Sequence, residues 1–96
     1  MSKSIGFIGG GAMATGIIKG ILSANTLTAE EIYVKELLPE RQVYLKETYG
    51  LQLADSLKEL AEKAKVLVLA VCPQDAEKAA KELSEVITQE HVLVSI

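Results

Sequence analysis

The residues with the clearest chemical use stand near the start of the chain, in the stretch FIGGGAMATG from Phe7 to Gly16. Gly9-x-Gly11-x-x-Ala14 has the spacing of a loop that cradles a pyrophosphate. Gly9 permits a tight turn, and Gly11 carries no side chain to block the phosphates. Ala14 is small enough for a following helix to pack close to a sheet. The free amides at the helix start and the positive end of its dipole then attract the anion. The spacing alone is a weak signal, since three consecutive glycines also suit a plain flexible turn. It gains force only where a strand precedes it and a helix follows.

The surrounding sequence predicts both. Ser4 to Ile8 is a short apolar run that stops at glycine, as a buried strand does. Ala14, Ile17, Ile18, Ile21 and Leu22 then recur at helical spacing with Lys19 opposite, and Asn25-Thr26 closes that helix. Glu31 to Lys35 predicts a second strand. Pro39 opens and Gly50 caps a helix whose narrow apolar face comprises Val43, Tyr44 and Leu45. Leu51 to Leu53 is a brief third strand. Ser56-Leu57-Lys58-Glu59 is a capping box that opens a helix reaching to about Lys63. Val66 to Val71 is apolar without alternation, as in a strand buried on both faces. Pro73 starts a helix with a stripe of Ala76, Ala79, Ala80, Leu83, Val86 and Ile87, and His91 to Ile96 is a fifth strand.

This alternation predicts an α/β fold: a doubly wound parallel sheet of Rossmann type, strand order 3-2-1-4-5, as one domain over residues 1–96. In that setting the glycine stretch reads as a phosphate cradle. The end of the second strand is where such folds choose their cofactor. An acid there bonds the ribose hydroxyls of NAD, and basic or hydroxyl groups accept the 2′-phosphate of NADP. The chain has one residue of each kind, Lys35 and Glu36, with Glu36 about twenty residues past the glycine motif. The competing reading makes both of them solvated loop charges.

Composition narrows the remaining classes. The 96 residues are 49% apolar with a net charge of −3, and they hold no basic run to attract nucleic acid or anionic lipid. A single cysteine, Cys72, can make no internal disulfide, which fits a cytoplasmic setting. Lys3 followed by an apolar run and Ala12-Met13-Ala14 superficially suits a cleaved leader. The glycines at 6 and 9 to 11 and the interrupting Lys19 argue against both a leader and a membrane span. His91 has no companion ligands, so no metal site is expected. Cys72 falls at a strand end and helix entry, where a thiolate is favoured, yet it reads better as a small packing residue. Asp75, Glu77, Lys78, Lys81, Glu82 and Glu85 read as a solvated helix face, and Tyr33, Tyr44 and Tyr49 as packing residues. No residue stands out as a general acid, so the catalytic residues are unassigned.

The segments IGFIGGGAMATGIIKGIL, VLVLAVCPQ and HVLVSI resemble the pyrroline-5-carboxylate reductase family in order and spacing. The resemblance implies an NAD(P)H-dependent reductase of proline biosynthesis, passing hydride to the C=N carbon of 1-pyrroline-5-carboxylate to give L-proline. It further implies that Ile8, Gly9, Gly10, Gly11, Ala12 and Met13 bind the pyrophosphate. Lys35 and Glu36 would then lie at the adenosine end, with Ala70, Val71, Cys72 and Pro73 beside the nicotinamide half. Three positions depart from the family pattern. Glu36 replaces a serine, threonine or asparagine, Leu57 replaces an asparagine, and Cys72 replaces a lysine. Glu36 would repel a 2′-phosphate, which favours NAD over NADP, although Lys35 could pair with that phosphate. Family members continue into a helical domain that forms the dimer and holds the substrate, and these 96 residues end before it. Taken as truncated there, the chain is expected to bind dinucleotide with little turnover and to expose its fifth strand as an apolar edge prone to association. The alternatives are a non-catalytic dinucleotide-binding regulatory module, or a related imine or keto-acid reductase.

Overall fold

A computed structural model describes residues 4–96, so Lys3, which enters the leader reading, lies outside the described residues. The short apolar runs become five strands: β1 (Ile5–Ile8), β2 (Ile32–Lys35), β3 (Gln52–Leu53), β4 (Val66–Leu69) and β5 (Val92–Ser95). The helices are α1 (Ala12–Ser23), α2 (Pro39–Tyr49), α3 (Leu57–Lys63) and α4 (Pro73–Ser84). All strand pairings are parallel, in the order β3-β2-β1-β4-β5. This is the expected Rossmann-type arrangement. None of the described helices is long and apolar enough to cross a membrane.

Side chains of successive strand residues point to opposite faces, so one sheet feeds two cores. Phe7, Ile32, Val34 and Val68 pack with Ala14, Ile18 and Leu45 of α1 and α2. Ile8, Leu67 and Leu69 pack with Leu60, Ala61 and Leu83 of α3 and α4 on the other side. The first strand is therefore apolar at consecutive positions because each position serves a different core.

Several local expectations hold in detail. Ser56 caps α3, its Oγ accepting the Glu59 N–H at 3.0 Å, while the Glu59 carboxylate accepts from the Asp55 N–H at 2.6 Å. Gly50 closes α2 in the left-handed region at φ 72°. A 3-10 turn at Ala29–Glu31, with its own capping box from Thr28, was not legible as an element and leads the chain into β2.

Other expectations need correcting. The apolar face of α2 is narrower than expected: Val43 is 53% exposed and Tyr44 is also exposed, whereas Leu45 is fully buried. One helical position separates Tyr44 from Leu45, about 100° of rotation, enough to carry Leu45 onto the sheet and leave the others outside. Ile17 of α1 and Ala80 of α4 likewise lie on exposed surface. The fourth strand stops at Leu69 rather than Val71, because its neighbour β1 ends at Ile8, the partner of Leu69. Only Leu67 to Leu69 of β4 are buried, and Val66 at its start is exposed. β5 forms one edge of the sheet, with Val92, Leu93 and Val94 exposed.

His91 has a structural task that its isolation in sequence concealed. Its Nε2 lies 2.7 Å from the Ala61 carbonyl, which requires the proton on that nitrogen, and its Nδ1 accepts the Thr88 N–H at 2.9 Å. The ring thereby ties the entry of β5 to α3.

The correction in α2 has a measurable consequence. Leu45→Ala is expected to cost about 2–5 kcal/mol in urea unfolding, the range for a buried leucine truncated to alanine. Val43→Ala is expected to change stability by about 0.5 kcal/mol or less.

Candidate functional site

The strand ends converge on a cleft of about 540 Å³ at the carboxyl edge of the sheet. Its walls include Ile8 and the three glycines that follow β1, Lys35 and Glu36 at the end of β2, and Ala70, Val71 and Cys72 after β4. Open α/β sheets bind ligands at this edge, where neighbouring connections leave in opposite directions. Of the residues expected at the site, Ala12, Met13 and Pro73 do not line the cleft. Ala12 and Met13 lie exposed in the first turn of α1, and Pro73 lies exposed at the start of α4.

The glycine loop is gripped from both sides. The Gly9 N–H donates to the Lys35 carbonyl at 2.9 Å, and the Ala70 N–H donates to the Ile8 carbonyl at 2.8 Å. These bonds carry the sheet pairing past the last ladder residues and bring the loop between β2 and β4. Gly9 sits at φ +98°, and an added Cβ would lie 2.7 Å from the Ala70 carbonyl oxygen. Conformation and space both demand glycine there. Gly10 is confined by packing, since a Cβ would meet Leu45 Cδ1 at 2.5 Å. Gly11 differs: apart from itself and its chain neighbours, no described residue places an atom within 4 Å of its Cβ position.

Among the described residues, none accepts from the amides that open α1. Gly11 is the N-cap and offers no side chain to the helix amides. The first bond into the helix is Thr15 N–H to the Gly11 carbonyl at 2.9 Å, so the amides of residues 11 to 14 precede it unpaired. Four N–H groups without a partner among the described residues and a helix dipole thus meet beside open space at Gly11.

Glu36 is neither a solvated charge nor a free ribose ligand. One carboxylate oxygen accepts the Gly10 N–H at 2.7 Å and the other accepts the Leu38 N–H at 2.9 Å. Its backbone carbonyl accepts from Gln42 Nε2 at 2.6 Å. Each carboxylate oxygen keeps a second lone pair, so a ligand hydroxyl can still bond to it.

Arg41 was not singled out by the sequence. It lines the cleft from the first turn of α2 and donates to the Gly10 carbonyl at 2.6 Å and to Thr15 Oγ1 at 3.2 Å. Its guanidinium also lies 4.7 Å from the centre of the Tyr44 ring. The available signal was electrostatic: a cation in a first helical turn opposes the helix dipole and calls for another reason to be there. Tyr44 in turn meets Tyr49 edge-on, and their hydroxyls lie 3.4 Å apart. That hydrogen bond, followed by desolvation and the charge of Tyr44, raises the Tyr49 pKa against the opposing influence of Arg41. Leu37, Leu38 and Leu57 add apolar wall to the cleft, and Asp75, Lys78 and Glu82 of α4 add charges to the opposite side. No cluster of three or more possible metal ligands occurs among the described residues.

Residues 4–96 match the family described as NADP oxidoreductase, coenzyme F420-dependent. The chain belongs to that family. Among curated relatives, it is 37% identical over 84 residues to a pyrroline-5-carboxylate reductase of Synechocystis, covering 88% of this chain and 32% of that protein. The fold superimposes with a TM-score of 0.89 on a pyrroline-5-carboxylate reductase from Coxiella burnetii, at 29% identity over 100% of this chain and 36% of that one. It also superimposes with a TM-score of 0.80 on the Plasmodium falciparum pyrroline carboxylate reductase with NADP bound, at 26% identity over 97% of this chain and 32% of that one. The resemblance carried by the glycine stretch and the fourth and fifth strands therefore extends through the whole chain. These 96 residues span about a third of the length of such relatives, 32% and 36% in two of them.

The contrast among the glycines is testable by thermal unfolding. Gly9→Ala is expected to destabilise the fold by about 1–3 kcal/mol or more, through backbone strain and the collision with Ala70. Gly11→Ala is expected to stay within about 1 kcal/mol of the parent, the ordinary difference between glycine and alanine at an N-cap.

Proposed function

We propose that the cleft binds a nicotinamide dinucleotide, with its pyrophosphate on the amides that open α1. The observation that carries this reading is the difference between adjacent glycines: Gly9 and Gly10 are closed in by protein, while Gly11 faces open space beside an uncapped helix start. A phosphate fits that place because it supplies acceptors to several N–H groups at once. In this reading Ile8 to Met13 form the phosphate site, through backbone groups in the case of Ala12 and Met13. Lys35 and Glu36 lie at the adenosine end, and Ala70 to Pro73 at the nicotinamide half.

NADH is favoured over NADPH in this proposal. Glu36 lines the cleft with a carboxylate that accepts from two backbone amides and pairs with no cation among the described residues, so its charge would oppose a 2′-phosphate. Arg41, a cation lining the cleft, is engaged on the loop.

The dinucleotide supplies hydride when bound; this chain's residues bind and orient it. We propose further that the whole protein reduces 1-pyrroline-5-carboxylate to L-proline and works in the cytoplasm. The named relatives support the activity, and a free, exposed Cys72 suits a reducing compartment.

Calorimetric titration tests the cofactor reading directly. Saturable binding of NADH, tighter than that of NADPH, is expected. Gly11→Ala is expected to keep the fold and weaken binding roughly tenfold or more, the effect of losing about 1.4 kcal/mol at the pyrophosphate. Tighter NADPH binding would overturn the role given to Glu36. Absence of binding by either at millimolar concentration would overturn the site.

A further inference from the structure

We infer that Arg41 is a positioning residue for the glycine loop, turning the Gly10–Gly11 peptide so that the Gly11 N–H is presented to a phosphate. This rests on the dinucleotide reading above. The inference concerns how the loop is held ready for the anion, and it gives Arg41 a task in cofactor binding without direct contact.

The argument begins with the carbonyls. Arg41 draws the Gly10 carbonyl toward itself at 2.6 Å. The same guanidinium reaches Thr15 Oγ1 at 3.2 Å, and that hydroxyl gives its one proton to the Gly11 carbonyl at 2.7 Å. The alternative acceptor for that proton, the Gly10 carbonyl, is 3.5 Å away, too far for a strong bond. Arg41 thus holds the Gly10 carbonyl directly and the Gly11 carbonyl through Thr15. The peptide bonds of the described residues are all trans, and in a planar trans peptide the N–H points opposite to the carbonyl. With the Gly10 carbonyl drawn to Arg41, the Gly11 N–H must point away from it. Among the described residues, no acceptor takes that N–H.

Charge reinforces the geometry. A cation on a carbonyl oxygen draws electron density along the peptide and makes the N–H at its other end a stronger donor. Across the preceding peptide, Glu36 accepts the Gly10 N–H at 2.7 Å. Gly10 is therefore held by an anion at its N–H and by a cation at its carbonyl. Arg41 is not placed for an ion pair: the ion pair found among the described residues joins Lys65 and Glu90 at 3.7 Å. Its position in the first turn of α2 opposes the helix dipole, and the loop contacts supply the compensation.

The test compares Arg41→Lys, Arg41→Gln and Arg41→Met in the purified protein. Titrations with NADH and NADPH are paired with the ¹H–¹⁵N spectrum of the ligand-free chain. Arg41→Met is expected to weaken both dinucleotides by a similar factor, roughly ten- to a hundredfold, as for loss of a charged hydrogen bond. Arg41→Lys, which keeps a charge at the carbonyl, is expected to restore most of the affinity, and Arg41→Gln to restore less. The Gly11 amide resonance is expected to move in Arg41→Met and to stay near its original place in Arg41→Lys. Weakening confined to NADPH would overturn the proposal, because Arg41 would then act on the 2′-phosphate itself. An unmoved Gly11 amide in Arg41→Met would also overturn it. The amide measurement needs no cofactor: if the parent protein binds neither dinucleotide, the functional reading fails, and the spectrum still decides whether Arg41 sets the peptide.

Discussion

The turn from β1 into α1 has to pass between the ends of β2 and β4 without a side chain on its inner surface. The Lys35 carbonyl receives the Gly9 N–H on one flank, and the Ala70 N–H reaches the Ile8 carbonyl on the other. Those bonds fix where α1 begins, and hence where its unpaired amides and dipole point. Much else follows from keeping that passage narrow. Leu45 of α2 packs so close to Gly10 that a side chain there would collide with it. Ala14, in the first turn of α1, is buried against the sheet, where a larger residue would push the helix outward.

The parallel sheet makes this arrangement possible through its crossovers. A chain leaving β1 for α1 and a chain leaving β4 for α4 depart on opposite faces, since α1 packs with one core and α4 with the other. The divergence opens a cleft between the two connections at the carboxyl ends of adjacent strands. Core and site therefore share a cause. Strand residues are apolar at consecutive positions to feed two cores, and the helices of those cores separate above the strand ends to form the cleft walls. The glycine loop after β1 forms part of the cleft wall, where irregular backbone is tolerated because solvent or a ligand can satisfy it.

The sequence carried the fold well because its signals are local and periodic. Apolar runs of strand length, prolines at helix starts, Gly50 past a helix end and Ser56 at a cap each specify an element by nearest-neighbour physics. The glycine motif was legible for the same reason, its positions being spaced along one continuous stretch. The failures arise where a residue's partner is distant in sequence. Leu45 and Val43 look alike in composition, and only the rotation of α2 on the sheet separates buried from exposed. The pairing of Glu36 with Gly10 spans 26 positions, and that of Arg41 with Gly10 spans 31. Nothing local in Gly10 announces either partner. The structural task of His91 is likewise hidden in sequence, since the Ala61 carbonyl that its ring meets belongs to another element.

Glu36 and Arg41 carry opposite charges on the same connection, yet they engage opposite ends of Gly10 instead of each other. A direct ion pair near the surface would contribute little, since water screens it and two side chains must be immobilised. Bonded to backbone groups, each charge polarises a peptide whose direction matters to the site. Glu36 is also tied to the Leu38 N–H, so the end of β2, the start of α2 and the glycine loop share one hydrogen-bonded knot. This bears on how cofactor selectivity is to be understood. A carboxylate at the end of β2 is ordinarily weighed only by what it does to the ribose or its phosphate. Here the same carboxylate also holds the loop, so in the proposed reading its replacement would disturb the phosphate site along with the selectivity. Arg41 is bound into the same knot from the other side. In the proposed dinucleotide reading, Glu36 would bear on both the ribose end and the phosphate loop, whereas Arg41 would bear on the loop alone.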